Sequence, residues 1–177
     1  MLCCLASKKL SYFTYLQIAR SPSVIDHKDL KVRRAGIGDL PRLLELLADD
    51  TLGKNREAVG SSEACYVEAF NAIDGDVNQY LLVCELAGRV IAMLQLTFIP
   101  GLSRRGALRA NIEAVRVDSG MRGQGIGSWV MRQAVLLARE RNCSLVQLTS
   151  DKSRTEAHRF YTRLDFVGSH EGFKLRL

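Results

Sequence analysis

The chain has 177 residues, 47% of them hydrophobic, enough for one well-buried core and too few for two ordinary domains. No apolar run approaches the ~20 residues that span a bilayer, so a membrane is not expected as a partner. The formal charge is +6 and the sequence pI about 9.2, which attracts phosphates of any kind; yet half of that excess lies before residue 32, in Lys8, Lys9, Arg20, Lys28 and Lys31 against Asp26 and Asp29, and the aromatic–basic interleaving of single-strand binders is confined to the same stretch, so no nucleic acid is expected either.

Residues 1–30 differ from the rest. The first acidic residue is Asp26, and Lys8, Lys9 and Arg20 flank the aromatic run Tyr12-Phe13-Thr14-Tyr15. An acid-poor, Ser-containing basic start has features of an organelle transit peptide, but it carries a single Arg, and no apolar core ends in a small-residue cleavage site. Residues 1–30 are expected to be an extension, disordered or docked as an arm, on a domain spanning 31–177. The cysteines, Cys3, Cys4, Cys65, Cys84 and Cys143, are odd in number and show no C-x-x-C or Cys/His metal spacing. Buried free thiols, a reducing cytoplasmic setting and no metal are expected.

Lys31 to Ala35 reads as a first strand, broken by Gly36-Ile37-Gly38. Asp39 is suited as an N-cap, with Pro41 in the first turn; Leu40, Leu43, Leu44 and Leu47 recur at helical spacing. Gly53 and Asn55 lie in a loop, and Ser62 is suited to cap a second helix with Cys65, Tyr66, Ala69, Phe70 and Ile73 on its apolar face. Tyr80 to Cys84 is a buried-strand run, Ala87-Gly88 a tight turn, and Arg89 to Phe98 the partner strand of a hairpin. Pro100-Gly101 stops it, Leu102 to Ala107 is a basic loop, and Arg109 to Val117 is a fourth strand. Gln124 to Arg141 is a long helix, Leu145 to Leu148 a fifth strand and Thr155 to Leu164 a last helix. Phe166 to Leu177 reads as two short strands around Ser169-His170-Glu171-Gly172. The order β-α-α-β-β-β-α-β-α-β-β predicts one α/β (α+β) domain around a mixed sheet.

The most informative segment runs from Val115 to Ser128: a strand, a glycine turn and a helix. A helix N-terminus offers unpaired N–H groups and a positive dipole end. Gly123, Gly125 and Gly127 let the backbone wrap closely around a phosphate, and Arg122 adds a positive charge. A P-loop needs Lys where Ile126 stands, and a dinucleotide fingerprint beginning at Gly123 needs Gly where Ser128 stands. The pattern here is R-G-x-G-x-G.

This segment resembles the [QR]-x-x-G-x-[GA] motif of the GNAT acetyltransferases, with Arg122, Gly125 and Gly127 at its defined positions. Ala157-His158-Arg159-Phe160-Tyr161 followed by Leu164-Asp165-Phe166 is similar to the family's A-x-x-F-Y-x-x-x-G-F element. Asp165 stands where Gly is usual, and Asp tolerates left-handed backbone better than most residues. The resemblance covers Lys31 to Leu177. It implies a mostly antiparallel central sheet of six to seven strands with about four helices, splayed between its fourth and fifth strands to admit the pantetheine of acetyl-CoA.

On this resemblance, backbone groups of Val115 and Val117, either side of Arg116, pair with pantetheine, and the amides of Arg122, Gly123, Gln124, Gly125, Ile126, Gly127 and Ser128 hold the pyrophosphate. An amine then attacks the thioester directly in a ternary complex. This requires a neutral amine, a stabilised oxyanion and a proton for the leaving thiolate. Tyr161 is the proton-donor candidate, with plain packing as the alternative. Strand alternation puts Glu113 on one face with Val115 and Val117; it is the base candidate, or else a structural carboxylate. His158 is a second base or a helix-capping residue. Lys152 and Arg154 meet the coenzyme 3′-phosphate or form a solvated cluster with Asp151.

Arg104, Arg105 and Arg109 suggest an acceptor amine that also carries a carboxylate, phosphate or phosphonate. Ile112-Glu113-Ala114-Val115 together with residues 157–161 and Ser169-His170 is similar to the aminoalkylphosphonate acetyltransferase branch. The function expected is acetyl transfer to a small-molecule amine. An acyl-CoA-binding regulatory module and a protein N-acetyltransferase are the alternatives, and family members often form homodimers.

Overall fold

Runs of alternating apolar residues build one sheet. The computed structural model describes residues 25–49 and 63–177. Most of the expected N-terminal extension, with Cys3, Cys4 and the aromatic run, lies outside the described residues, as do Gly53, Asn55 and Ser62. Strands β1 (Leu30–Arg34), β2 (Gln79–Leu86), β3 (Arg89–Pro100), β4 (Leu108–Val117) and β5 (Leu145–Leu148) stand side by side in chain order. The first three junctions are antiparallel and the last is parallel. Ala87 and Gly88 turn the β2–β3 hairpin at φ 50° and 80°, the left-handed pair that a two-residue connection requires.

Helices α1 (Leu40–Ala48), α2 (Glu63–Gly75), α4 (Ile126–Glu140) and α5 (Thr155–Thr162) cover the sheet, and a single turn, α3 (Ser103–Gly106), joins β3 to β4. Even-numbered residues of the strands, Leu82, Leu94, Leu96, Phe98, Ala110 and Ile112, form one core with Ile126, Val130, Met131, Ala134 and Ala138 of α4. Phe160 and Tyr161 of α5 pack against this core. On the other face Leu81, Val83 and Met93 meet Leu43 and Leu46 of α1 and Phe70 of α2. The sheet therefore lies between α1/α2 and α4/α5. No helix among the described residues is long and apolar enough to cross a membrane.

Several expectations change. The sheet has five strands among the described residues, not six to seven, because Phe166 to Leu177 forms none. Val167, Phe173 and Leu175 are 82%, 91% and 87% exposed: alternating apolar residues make a strand only where a sheet edge receives them. Asp39 does not cap α1; its carboxylate accepts the Gly36 N–H at 2.8 Å and the Arg33 guanidinium at 2.6 and 2.9 Å. That pairing holds the Asp39 carboxyl below its ordinary pKa. On α2 Phe70 is buried but Cys65 and Ala69 are exposed, so of the described cysteines only Cys84 is fully buried.

Candidate functional site

β4 does not alternate through its whole length. Gln95 stands opposite Glu113 and Met93 opposite Arg116, so Leu94 alone faces both Ala114 and Val115 of β4. The extra residue is a bulge at Ala114, whose φ is 50°. It reverses the faces. Before it, Ala110 and Ile112 point to α4; after it, Val115 and Val117 do, while Ala114 packs with the α1/α2 core. Glu113, opposite Gln95, therefore lies on the α1/α2 face, exposed, and not on the face of Val115 and Val117. Period-two counting cannot see an inserted residue.

On its other side β4 loses its neighbour just before the bulge. Parallel pairing with β5 ends at Ile112–Leu148, whereas β4 runs on to Val117. Past Ile112 β4 therefore leaves a gap in the ladder beside β5, and Val115, Val117, Phe160 and Tyr161 pack on the α4 face of the sheet. The Val115 carbonyl accepts from Arg116 Nη1 at 2.9 Å. On the β5 side Ser150 Oγ is shielded from solvent and has no hydrogen-bond partner among the described residues.

The glycine turn closes one end of this gap. Gly123 and Gly125 have φ 78° and 80°, a region that favours glycine. The first helical bond of α4 runs from Trp129 N–H to the Gly125 carbonyl at 3.0 Å. The N–H groups of Ile126, Gly127 and Ser128 precede it and have no carbonyl of their own helix to donate to. A Cβ on Gly127 would lie 3.4 Å from Phe160 and 3.7 Å from Val117, so the first turn of α4 abuts the wall of the gap.

The Arg122 guanidinium is engaged by groups of the protein itself. Its guanidinium donates to the Val117 carbonyl at 3.1 Å and to the Asp49 carbonyl at 2.6 Å, and its own N–H donates to Ser119 at 3.4 Å. Asp49, at the end of α1, also accepts the Ser119 N–H at 2.8 Å. A second tie joins Asp118 to Arg42 of α1 and to Arg89 of β3. The turn is thus fixed to α1 from two sides. Gln124 Nε2 reaches the Gly120 carbonyl at 3.4 Å.

Burial pushes the Tyr161 phenol above its ordinary pKa, while the Arg154 and Arg116 guanidiniums oppose that rise. The group is therefore a neutral donor at physiological pH. Its ring makes edge contacts with Phe160 and Phe166 at 5.2 and 6.1 Å. Asp165 adopts φ 65°, and the Tyr161 carbonyl accepts both the Leu164 and Phe166 N–H groups, at 2.9 and 3.1 Å; Asp does here what the usual glycine would do. His158 Nε2 donates to the Asp151 carbonyl at 2.9 Å, fixing the loop before α5. Lys152 is exposed and reaches Glu171 at 3.3 Å, while Arg154 lies close enough to act on Tyr161. Arg104 and Arg105 are exposed in a left-handed turn at φ 54° and 62°, and Arg109 is exposed on β4.

One neighbour of the turn had no signal in the sequence. His27, just before β1, lies beside Trp129 with its ring tilted at 45° and ring centres 6.3 Å apart, and its Nε2 lies 3.5 Å from where a Cβ on Gly125 would be. Helix α4 rests against the start of β1 through Leu30, and this brings His27 to the glycines from the far side.

The acetyltransferase (GNAT) family model matches residues 40–166. Aminoalkylphosphonate N-acetyltransferase of Salmonella typhimurium is 32% identical over 105 residues, 59% of this chain and 66% of that protein, so the match spans just under two thirds of its length. Among solved structures, a transcriptional regulator from Bacillus halodurans C-125 superposes with a TM-score of 0.80 at 45% identity, covering 84% of this chain and 99% of that one. A putative acetyltransferase from Agrobacterium tumefaciens str. C58 superposes with a TM-score of 0.74 at 33% identity, covering 83% and 99%.

Proposed function

This chain belongs to the GNAT acetyltransferase family, and on that premise we propose that it transfers an acetyl group from acetyl-CoA to the primary amine of a small molecule that also carries an anionic group. One observation supports the reading most: the glycine turn leaves the first-turn N–H groups of α4 without carbonyls of their own helix, next to Phe160 and the end of β4. The residues fit the cosubstrate. The N–H groups of Gly123 to Ser128 suit the pyrophosphate, held in shape by Arg122 through Asp49 and Val117. Val115 and Val117 offer backbone groups to pantetheine, for which Arg116 must release the Val115 carbonyl. Ser150 Oγ offers a further polar contact on the opposite flank. Lys152 and Arg154, on the segment before α5, are the cations proposed for the 3′-phosphate.

The bulge gives the reaction two sides. Glu113 lies on the α1/α2 face and Tyr161 packs on the α4 face. The amine approaches from the Glu113 side, losing a proton to that carboxylate directly or through water. The new C–N bond forms as the C–S bond breaks, and Tyr161 donates its proton to the thiolate leaving on the other side. Measuring thiol release from acetyl-CoA across an amine library tests the proposal; an absence of turnover with every amine would overturn it.

A second reading keeps the coenzyme site without turnover. The 45% identical structure is that of a transcriptional regulator, which favours it. It predicts acetyl-CoA binding that no amine converts into thiol release.

A further inference from the structure

Next to Glu113, the apolar pattern of the α1/α2 face breaks. Gln79, Thr97, Asn111 and Gln147 form one row across β2, β3, β4 and β5, each in register with the next. Gln95 joins them from the adjoining row, opposite Glu113. All five are half-buried. Gln79 Oε1 accepts from Gln95 Nε2 at 3.0 Å and from Thr97 Oγ1 at 2.9 Å, and Asn111 Oδ1 accepts from Gln147 Nε2 at 3.3 Å. These bonds orient the amides and leave one polar end of each without a partner among the described residues: the NH₂ of Gln79 and Asn111, and the carbonyl of Gln95 and Gln147.

Two charges bracket the row on β4. Glu113 lies two residues past Asn111 and Arg109 two residues before it, on the same face. Both are exposed, and neither has an ionic partner among the described residues. Four residues of strand separate them by about 13 Å, too far for them to pair with each other.

We propose that this row is the acceptor floor and that it selects a short peptide lying along β4, with its free amine at Glu113, its amide groups over Asn111 and the adjoining Thr97 and Gln147, and its carboxylate at Arg109. An extended chain advances about 3.3–3.6 Å per residue, so three to four residues span the interval. A single amino acid reaches only one of the two charges. Side-chain amides that can both donate and accept match peptide groups better than they match a methylene chain. The inference rests on the acyl-transfer reading of the same site.

The test compares thiol release with triglycine, triglycine amide, glycine and 8-aminooctanoate, which has the length of triglycine without its amides. Triglycine is expected to exceed each of the others in kcat/KM by on the order of tenfold. Arg109→Gln should bring the triglycine to triglycine-amide ratio close to one. Asn111→Leu with Gln147→Leu should do the same for the triglycine to 8-aminooctanoate ratio, with acetyl-CoA affinity reporting that the variants are folded. Equal turnover of all four amines, or ratios that these variants do not move, overturns this inference alone. Inertness toward every amine overturns the acyl-transfer reading and this inference with it.

Discussion

The Arg122 guanidinium donates to the Asp49 backbone carbonyl at 2.6 Å, joining positions 73 residues apart. The glycine turn is thereby held by the end of α1 rather than by its own few residues. Charge-assisted hydrogen bonds of this kind contribute about 1.5–3 kcal/mol when buried; this pair is half-exposed, so about 1 kcal/mol is the reasonable scale. Arg122→Ala should weaken acetyl-CoA binding about 5-fold, with a smaller effect on kcat. Titration calorimetry with acetyl-CoA checks this, and an unaltered affinity would show that the turn keeps its shape unaided.

The three glycines of the turn are not equivalent. Gly125 has φ 80° and His27 beside it, whereas Gly127 has helical backbone and a 3.4 Å approach to Phe160. Gly125→Ala should cost about 1–2 kcal/mol for the left-handed conformation and disturb coenzyme binding. Gly127→Ala should change stability by about 0.5 kcal/mol or less. Thermal unfolding of the two variants, side by side, gives the comparison.

If Tyr161 is the proton donor, Tyr161→Phe should lower kcat by about 100-fold and leave acetyl-CoA affinity nearly intact. The pH profile carries a second signature. The phenol donates only while protonated, so kcat falls as pH rises through its pKa. Burial raises that value, which places the alkaline limb above pH ~10. The limb should vanish in the Phe variant; a limb that persists would assign it to another group.

Asp165 holds φ 65°, where Ala is strained and Gly is not. Asp165→Ala should destabilise the domain by about 1 kcal/mol, and Asp165→Gly should be neutral to within about 0.5 kcal/mol. Chemical denaturation curves of both variants measure the difference.

Five strands and four long helices were legible because each has a period and a stop: Pro100-Gly101 after β3, Ala87-Gly88 between β2 and β3. The glycine turn was legible because its glycines follow a strand and open a helix. The face of Glu113 was not, since the bulge is formed by an alanine and nothing in the letters distinguishes Ala114 from an ordinary strand residue. The role of Arg122 was hidden for another reason: Asp49, its partner, is distant in sequence. The segment after Phe166 alternates like a strand, yet pairing is a property of two chains and the second is missing there. His27 carries no signal in the sequence because only the packing of α4 on β1 brings it near Gly125.

β5 has a kinetic consequence. β1 to β4 are antiparallel neighbours in chain order, and three of them form a meander, whereas β5 docks parallel, after the whole of α4, over four register pairs. Distant parallel pairing must overcome loop-closure entropy before it is rewarded, so β5 and α5 should assemble last and detach first. A ligand lodged between the two halves binds only the assembled form. Amide hydrogens of 145–162 should therefore exchange faster than those of β2 and β3 in the free protein, and slow selectively when acetyl-CoA is added.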